Sequence, residues 1–157
     1  MQRQLISSGS KFEPSIGFSR NSRWRAEGER PARATLNIAA PDTRFARRRG
    51  VRVGAHIMVS GTAPIAPNGG TAAPGDLYGQ TKRCLEIIEK AINDAGGKLE
   101  HVVRTRMFLK EMHGWENAAR AHGEFFGAIR PAATMVQIVQ AIDPSWLIEI
   151  EADAIVA

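Results

Sequence analysis

A chain of 157 residues is long enough for one domain with a substantial core and too short for two of ordinary size. Hydrophobic residues at 43% and charged residues at 24% exclude a chain disordered throughout. The single cysteine, Cys84, excludes an intramolecular disulfide and supplies no metal-binding spacing, so neither a metal nor a cofactor is expected.

The first residues, MQRQLISSGSKFEPSIGF, carry no apolar run of the kind that directs secretion. No stretch approaches the ~18 apolar residues of a membrane span, so a soluble, cytoplasmic protein in reducing surroundings is expected. The segment 21–50 then holds eight arginines against Glu27, Glu29 and Asp42, which accounts for the whole net charge of +5. Rich in Arg, Ala and Pro and without apolar period, it reads as a basic loop inserted into a single domain spanning 1–157. Charge gathered in one loop argues against a nucleic-acid-binding surface, beyond non-specific attraction through the loop itself.

Without that loop, IGFSR would run directly into VRVGAHIMVSG, as a tight hairpin requires. Val51, Val53, Ile57 and Val59 share one parity, which predicts strand on both sides of a turn near Gly54. A loop rich in proline and glycine follows over 62–74, and Asp76 is placed to cap a helix. Over 77–95, Cys84, Ile88, Ala91 and Ala95 recur at three- and four-residue spacing, an amphipathic helix stopped by Gly96 and Gly97.

A buried strand is expected over 101–110. Trp115, Ala118, His122, Phe125 and Phe126 then form the apolar stripe of a second helix, on which His122 reads as a packed histidine. Two last strands, 134–142 and 147–156, are joined through DPSW. In the second, Ile148, Ile150, Ala152 and Ala154 alternate with Glu149, Glu151 and Asp153, a ladder of carboxylates at ~7 Å intervals. Like charges so spaced need cations, and Arg104 and Arg106 share a parity on a strand that could lie alongside. Strands, helix, strand, helix and two strands argue an α+β fold, a mixed sheet with both helices on one face.

Five segments in order, IMVSGTAPI, the helix start at Gln80-Thr81 with its GG stop, VVRTRMFLK, RPAATMV and IEIEADA, resemble the Rid (YjgF, or "endoribonuclease L-PSP") family and together span about 125 residues. The resemblance implies a chorismate mutase-like fold, a homotrimer, and ligand clefts between subunits. It also implies a small-metabolite protein that hydrolyses an imine, enamine or related C=N bond, with Glu149 as the residue that positions water. Ser60 and Gly61 match the family's strand-end Ser-Gly pair, and Phe18 falls where tyrosine is common. Ala119 stands at an asparagine position, Met135 at a cysteine position, and Ala133 at the position of the arginine that grips a substrate carboxylate.

A planar guanidinium binds a carboxylate through two charge-assisted bonds, and alanine supplies neither charge nor donor. Hydrolysis of 2-imino acids is therefore expected to be weak. Arg130, three residues earlier, reads as a linker between helix and strand, because an odd offset reverses the face of a strand. The alternative is a trimeric protein that holds a small ligand without turning it over. Ribonuclease activity, suggested by the family's older name, finds no recognisable site among His56, His101, His113 and His122.

Overall fold

The computed structural model describes residues 33–36 and 49–156. Six strands form one sheet in the order β1-β2-β3-β6-β4-β5. They are β1 (Arg33–Leu36), β2 (Gly50–Val53), β3 (His56–Thr62), β4 (Val102–Leu109), β5 (Ala132–Gln137) and β6 (Ile148–Ile155). Every pairing is antiparallel except β4 with β5, which run parallel because a helix connects them. The helices are α1 (Leu77–Asp94) and α2 (Trp115–Phe126), with a short 3-10 turn at Leu99–His101 before β4.

The loop expected over 21–50 is corrected at two places. Arg33–Leu36 pairs with β2, and Gly50 opens β2 itself opposite Val59. A four-residue edge strand is too short to display a period, and its pairing uses backbone groups that any sequence carries. Apart from Arg49, the rest of that segment lies outside the described residues.

Between β2 and β3 the chain turns at Gly54, whose φ of 58° is the left-handed conformation that glycine adopts without steric penalty. The expected parity holds within β3, where Ile57 and Val59 are buried, but not across the turn. Val51 and Val53 pair with Met58 and His56 and so lie on the opposite face, because the two-residue turn shifts the alternation by one. Helix α1 buries Cys84, Leu85, Ile88, Ala91 and Ile92 at helical spacing. Each large aliphatic side chain so buried contributes about 1.5–3 kcal/mol. Asp76 stands at the N-cap, but its side chain makes no capping bond; only its backbone oxygen accepts from the Gln80 N–H, at 2.9 Å. At the other end Gly96 (φ 75°) ends the helix, and the Gly97 N–H returns to the Ile92 oxygen at 2.9 Å.

These apolar faces meet in one cluster with Val102, Met107, Leu109, Phe126, Ile148 and Ile150. Both helices thus cover one face of the sheet. The opposite face carries the charged ladder together with Met58 and Val136, each more than two-fifths exposed. The fifth strand ends at Gln137, five residues short of the sequence expectation. Beyond Leu109 there is no further β4 to pair with, so the apolar Val139 and Ile142 project from a loop.

Candidate functional site

The residues singled out in the sequence fall into two groups. Ser60, Gly61 and Glu149 form the first, at the point where β3 leaves its regular pairing with β6. The ladder shifts between Val59 and Thr62, and this irregularity turns Gly61 toward β6. A Cβ built on Gly61 would stand 3.6 Å from the Glu149 Oε2, so the carboxylate lies over the glycine. The Ser60 N–H and hydroxyl both donate to the Arg49 oxygen, at 3.0 and 3.1 Å.

Glu151 and Asp153 of the ladder are bound up with arginine, as the spacing predicted. Arg106 donates to Glu151 at 2.9 Å and to Asp153 at 3.2 Å, and Arg104 lies 3.9 Å from Asp153. Glu149 stands opposite Phe108 in the register and beside Gly61. On the covered face behind it lies Cys84, fully buried, its Sγ 4.0 Å from the Ile148 oxygen. Burial and then the negative charge of Glu149 push this thiol far above its ordinary range, so it is no nucleophile.

Ala133 and Met135 form the second group. Ala133 is 5% exposed and sits in register with Thr105, Met135 with Met107, all on the helix-covered face. Between this pair and Glu149 lie β4 and the thickness of the sheet, two strand spacings of ~4.8 Å each across the sheet. One chain therefore does not bring both groups to a common cleft. Phe18 lies outside the described residues.

Arg130 occupies the strained turn between α2 and β5, with φ of 53°; its N–H donates to the Phe126 oxygen and its Nε to the Gly127 oxygen, at 2.8 and 3.3 Å. It closes the helix, as its reading as a linker residue implied. His122 is fully buried, its Nε2 2.9 Å from the Thr105 hydroxyl and its ring 4.7 Å from that of Phe126. Among the described residues no group of histidine, cysteine and carboxylate side chains is arranged to hold a metal ion, and no helix is long and apolar enough to cross a membrane.

Two residues near the first group were not singled out as site residues. Arg49, taken for part of the loop, is aligned with Ser60 by the backbone bond; only its place within an arginine run was visible in sequence. Gln80, noted as part of a helix start, is fully buried and bonded to the segment that leads into Glu149. An uncharged polar residue on the apolar face of a helix was the available signal.

Residues 35–156 match the family model described as Endoribonuclease L-PSP. A RutC family protein of Pyrococcus abyssi is 35% identical over 104 residues, covering 66% of this chain and 81% of that protein. The 3-aminoacrylate deaminase RutC of Acinetobacter baylyi is 34% identical over 94 residues, covering 60% of this chain and 74% of that one. Among solved structures, a Mycobacterium tuberculosis member of the YjgF family superposes with a TM-score of 0.62 at 32% identity, over 99% of this chain and 100% of that one. The Escherichia coli YjgF gene product gives 0.69 at 27% identity, over 78% and 98%.

Proposed function

Because the chain belongs to the Rid (YjgF, endoribonuclease L-PSP) family, we propose that it hydrolyses the C=N bond of a small imine or enamine in a cleft that two copies complete. The observation that carries this reading is the Glu149 carboxylate held over Gly61 while Ala133 and Met135 face the other way on an edge strand. In a homotrimer, the usual assembly of the family, the first group of one copy meets the second group of its neighbour. The exposed Met58 and Val136 on the uncovered sheet face suit burial against that neighbour.

In the proposed reaction the carboxylate takes a proton from water as the oxygen bonds to the imine carbon, and the nitrogen gains a proton. The carbinolamine then breaks its C–N bond, releasing ammonia and leaving a carbonyl. An enamine such as 3-aminoacrylate, named for the Acinetobacter relative, first moves a proton to carbon to become the imine. Water and one acid-base group suffice, and a cytoplasmic setting is consistent with small metabolites as substrates.

Ala133 adapts the cleft to substrates without a carboxylate. Each hydrogen bond to a charged group contributes roughly 1.5–3 kcal/mol, so a missing guanidinium lowers turnover of 2-imino acids on the order of 10²-fold. Ammonia release from 2-iminopropanoate and from a carboxylate-free imine tests this. The neutral imine should be the better substrate, Glu149→Gln should abolish turnover of both, and Ala133→Arg should improve only the acid. Undiminished activity in Glu149→Gln would sink the mechanism. Absence of turnover, with a thermal shift by the same compounds, would leave a trimeric ligand-binding protein instead.

A further inference from the structure

Gln80 lies in the first turns of α1, fully buried, on a face otherwise made of apolar side chains, Thr81 excepted. Its amide is engaged on both sides. Oε1 accepts from the Leu147 N–H at 2.7 Å, and Nε2 donates to the Ser145 oxygen at 3.0 Å and to the Ala73 oxygen at 3.4 Å. Ser145 and Leu147 lie in the turn that leads into β6, four and two residues ahead of Glu149. Ala73 belongs to the long segment that follows Gly61. One side chain therefore ties together the two stretches of chain that bring Glu149 and Gly61 to the same place.

The neighbouring bonds show how tightly this junction is held. Ser145 donates from its N–H and its hydroxyl to the Asp143 carboxylate, at 2.8 and 2.6 Å, and its hydroxyl lies 2.6 Å from that of Thr71. The Lys110 N–H donates to the Leu147 oxygen at 2.9 Å, so both backbone groups of Leu147 are fixed. Strand side chains alternate with a period of two, so a local slip at Leu147, taken up as a bulge before Glu151, would turn Glu149 onto the covered face, toward Cys84. Only an amide offers an acceptor for Leu147 and a donor for the two carbonyls at once.

We infer that Gln80 is the positioning residue of this site: its amide pins the entry of β6 at Leu147, two residues ahead of Glu149, and so holds the Glu149 carboxylate over Gly61. The inference rests on the proposed role of Glu149 for its effect on turnover, but its geometric content stands apart from any activity. Gln80→Met keeps the volume and removes all three bonds. Gln80→Glu keeps the acceptor for the Leu147 N–H and removes the donor. Both are made in the full chain, and the side-chain carboxyl carbons are followed by NMR at one fixed pH, with the Leu147 amide followed by hydrogen exchange.

In Gln80→Met the Glu149 carboxyl signal should move while those of Glu151 and Asp153, farther along the same strand, stay in place. The Leu147 amide should exchange at least about tenfold faster, and kcat on the preferred imine should fall at least about tenfold with KM held, since small misplacement of a reacting group carries losses of that order. Gln80→Glu, which keeps the acceptor for the Leu147 N–H, should retain the Leu147 protection and much of kcat; if Gln80→Met fails to fold, loss of that protection in a folded Gln80→Glu would equally overturn the inference. An unchanged Glu149 carboxyl signal in a folded Gln80→Met, or equal movement of all three carboxyl signals, would overturn the inference. If the parent shows no turnover, the proposed function fails, whereas the carboxyl signals and the Leu147 exchange still decide the role of Gln80.

Discussion

The buried contact between Thr105 and His122 separates a structural histidine from a chemical one. Both residues are fully buried, and 2.9 Å separates the hydroxyl oxygen from Nε2. Thr105→Val replaces the hydroxyl with a methyl of nearly the same size, so the cavity term is small and the lost hydrogen bond dominates. A net bond is worth about 0.5–1.5 kcal/mol, and stranding a buried polar nitrogen raises the loss to about 1–3 kcal/mol. His122→Phe removes the stranded nitrogen, so the double variant should lose less than the sum of the singles, with a coupling of about 0.5–3 kcal/mol. Urea unfolding of the four proteins measures the coupling, and ammonia release measures turnover per folded chain. A Thr105→Val protein within about 0.5 kcal/mol of the parent yet inactive would refute the reasoning and return His122 to the catalytic candidates.

Other consequences follow from burial and charge. Cys84 should resist a thiol reagent in the native chain at pH 8 and react fully in denaturant. Its folded thiol ionises only well above its ordinary value of 9.0, mainly through burial. The unfolded chain then releases this proton first as pH rises, so stability should fall above about pH 9 by up to ~1.4 kcal/mol per pH unit, and Cys84→Ala should remove that component. Arg106→Met leaves Glu151 and Asp153 without their shared cation; the loss should be about 1 kcal/mol at low salt and smaller in 1 M NaCl, since these groups are about one-third exposed. Excising 21–48 while keeping Arg49 removes one short edge strand and should lower stability by less than ~2 kcal/mol; a larger loss would show that the segment is structural.

The architecture was legible because its signals are local. Alternation in 148–156, three- and four-residue spacing around Cys84, and the paired glycines after Ala95 each report which face of an element is buried. Even the arginine partners of Glu151 and Asp153 could be read, since parity on two strands fixes which side chains face each other. Less was legible where the determinant is distant. That β5 stops at Gln137 depends on the length of β4, not on the apolar run through Val139. That Ala133 and Glu149 point from opposite faces follows from register across three strands, which no motif contains. Gln80 looked like an ordinary polar residue because its partners lie 65 and 67 positions away in sequence.

The place of β6 in the sheet also governs the order in which this protein can assemble. It is the last strand of the described chain, yet it lies between β3 and β4 and pairs with both. Until its residues have left the ribosome, the β1-β2-β3 unit and the β4-β5 unit each present a bare hydrogen-bonding edge and an uncovered part of the core. Closing the gap means pairing His56 with Ile155, a loop closure of nearly a hundred residues, the kind of non-local step that slows folding. The nascent chain is thus exposed to strand exchange with its neighbours for most of its synthesis, and chaperone dependence should concentrate in that interval.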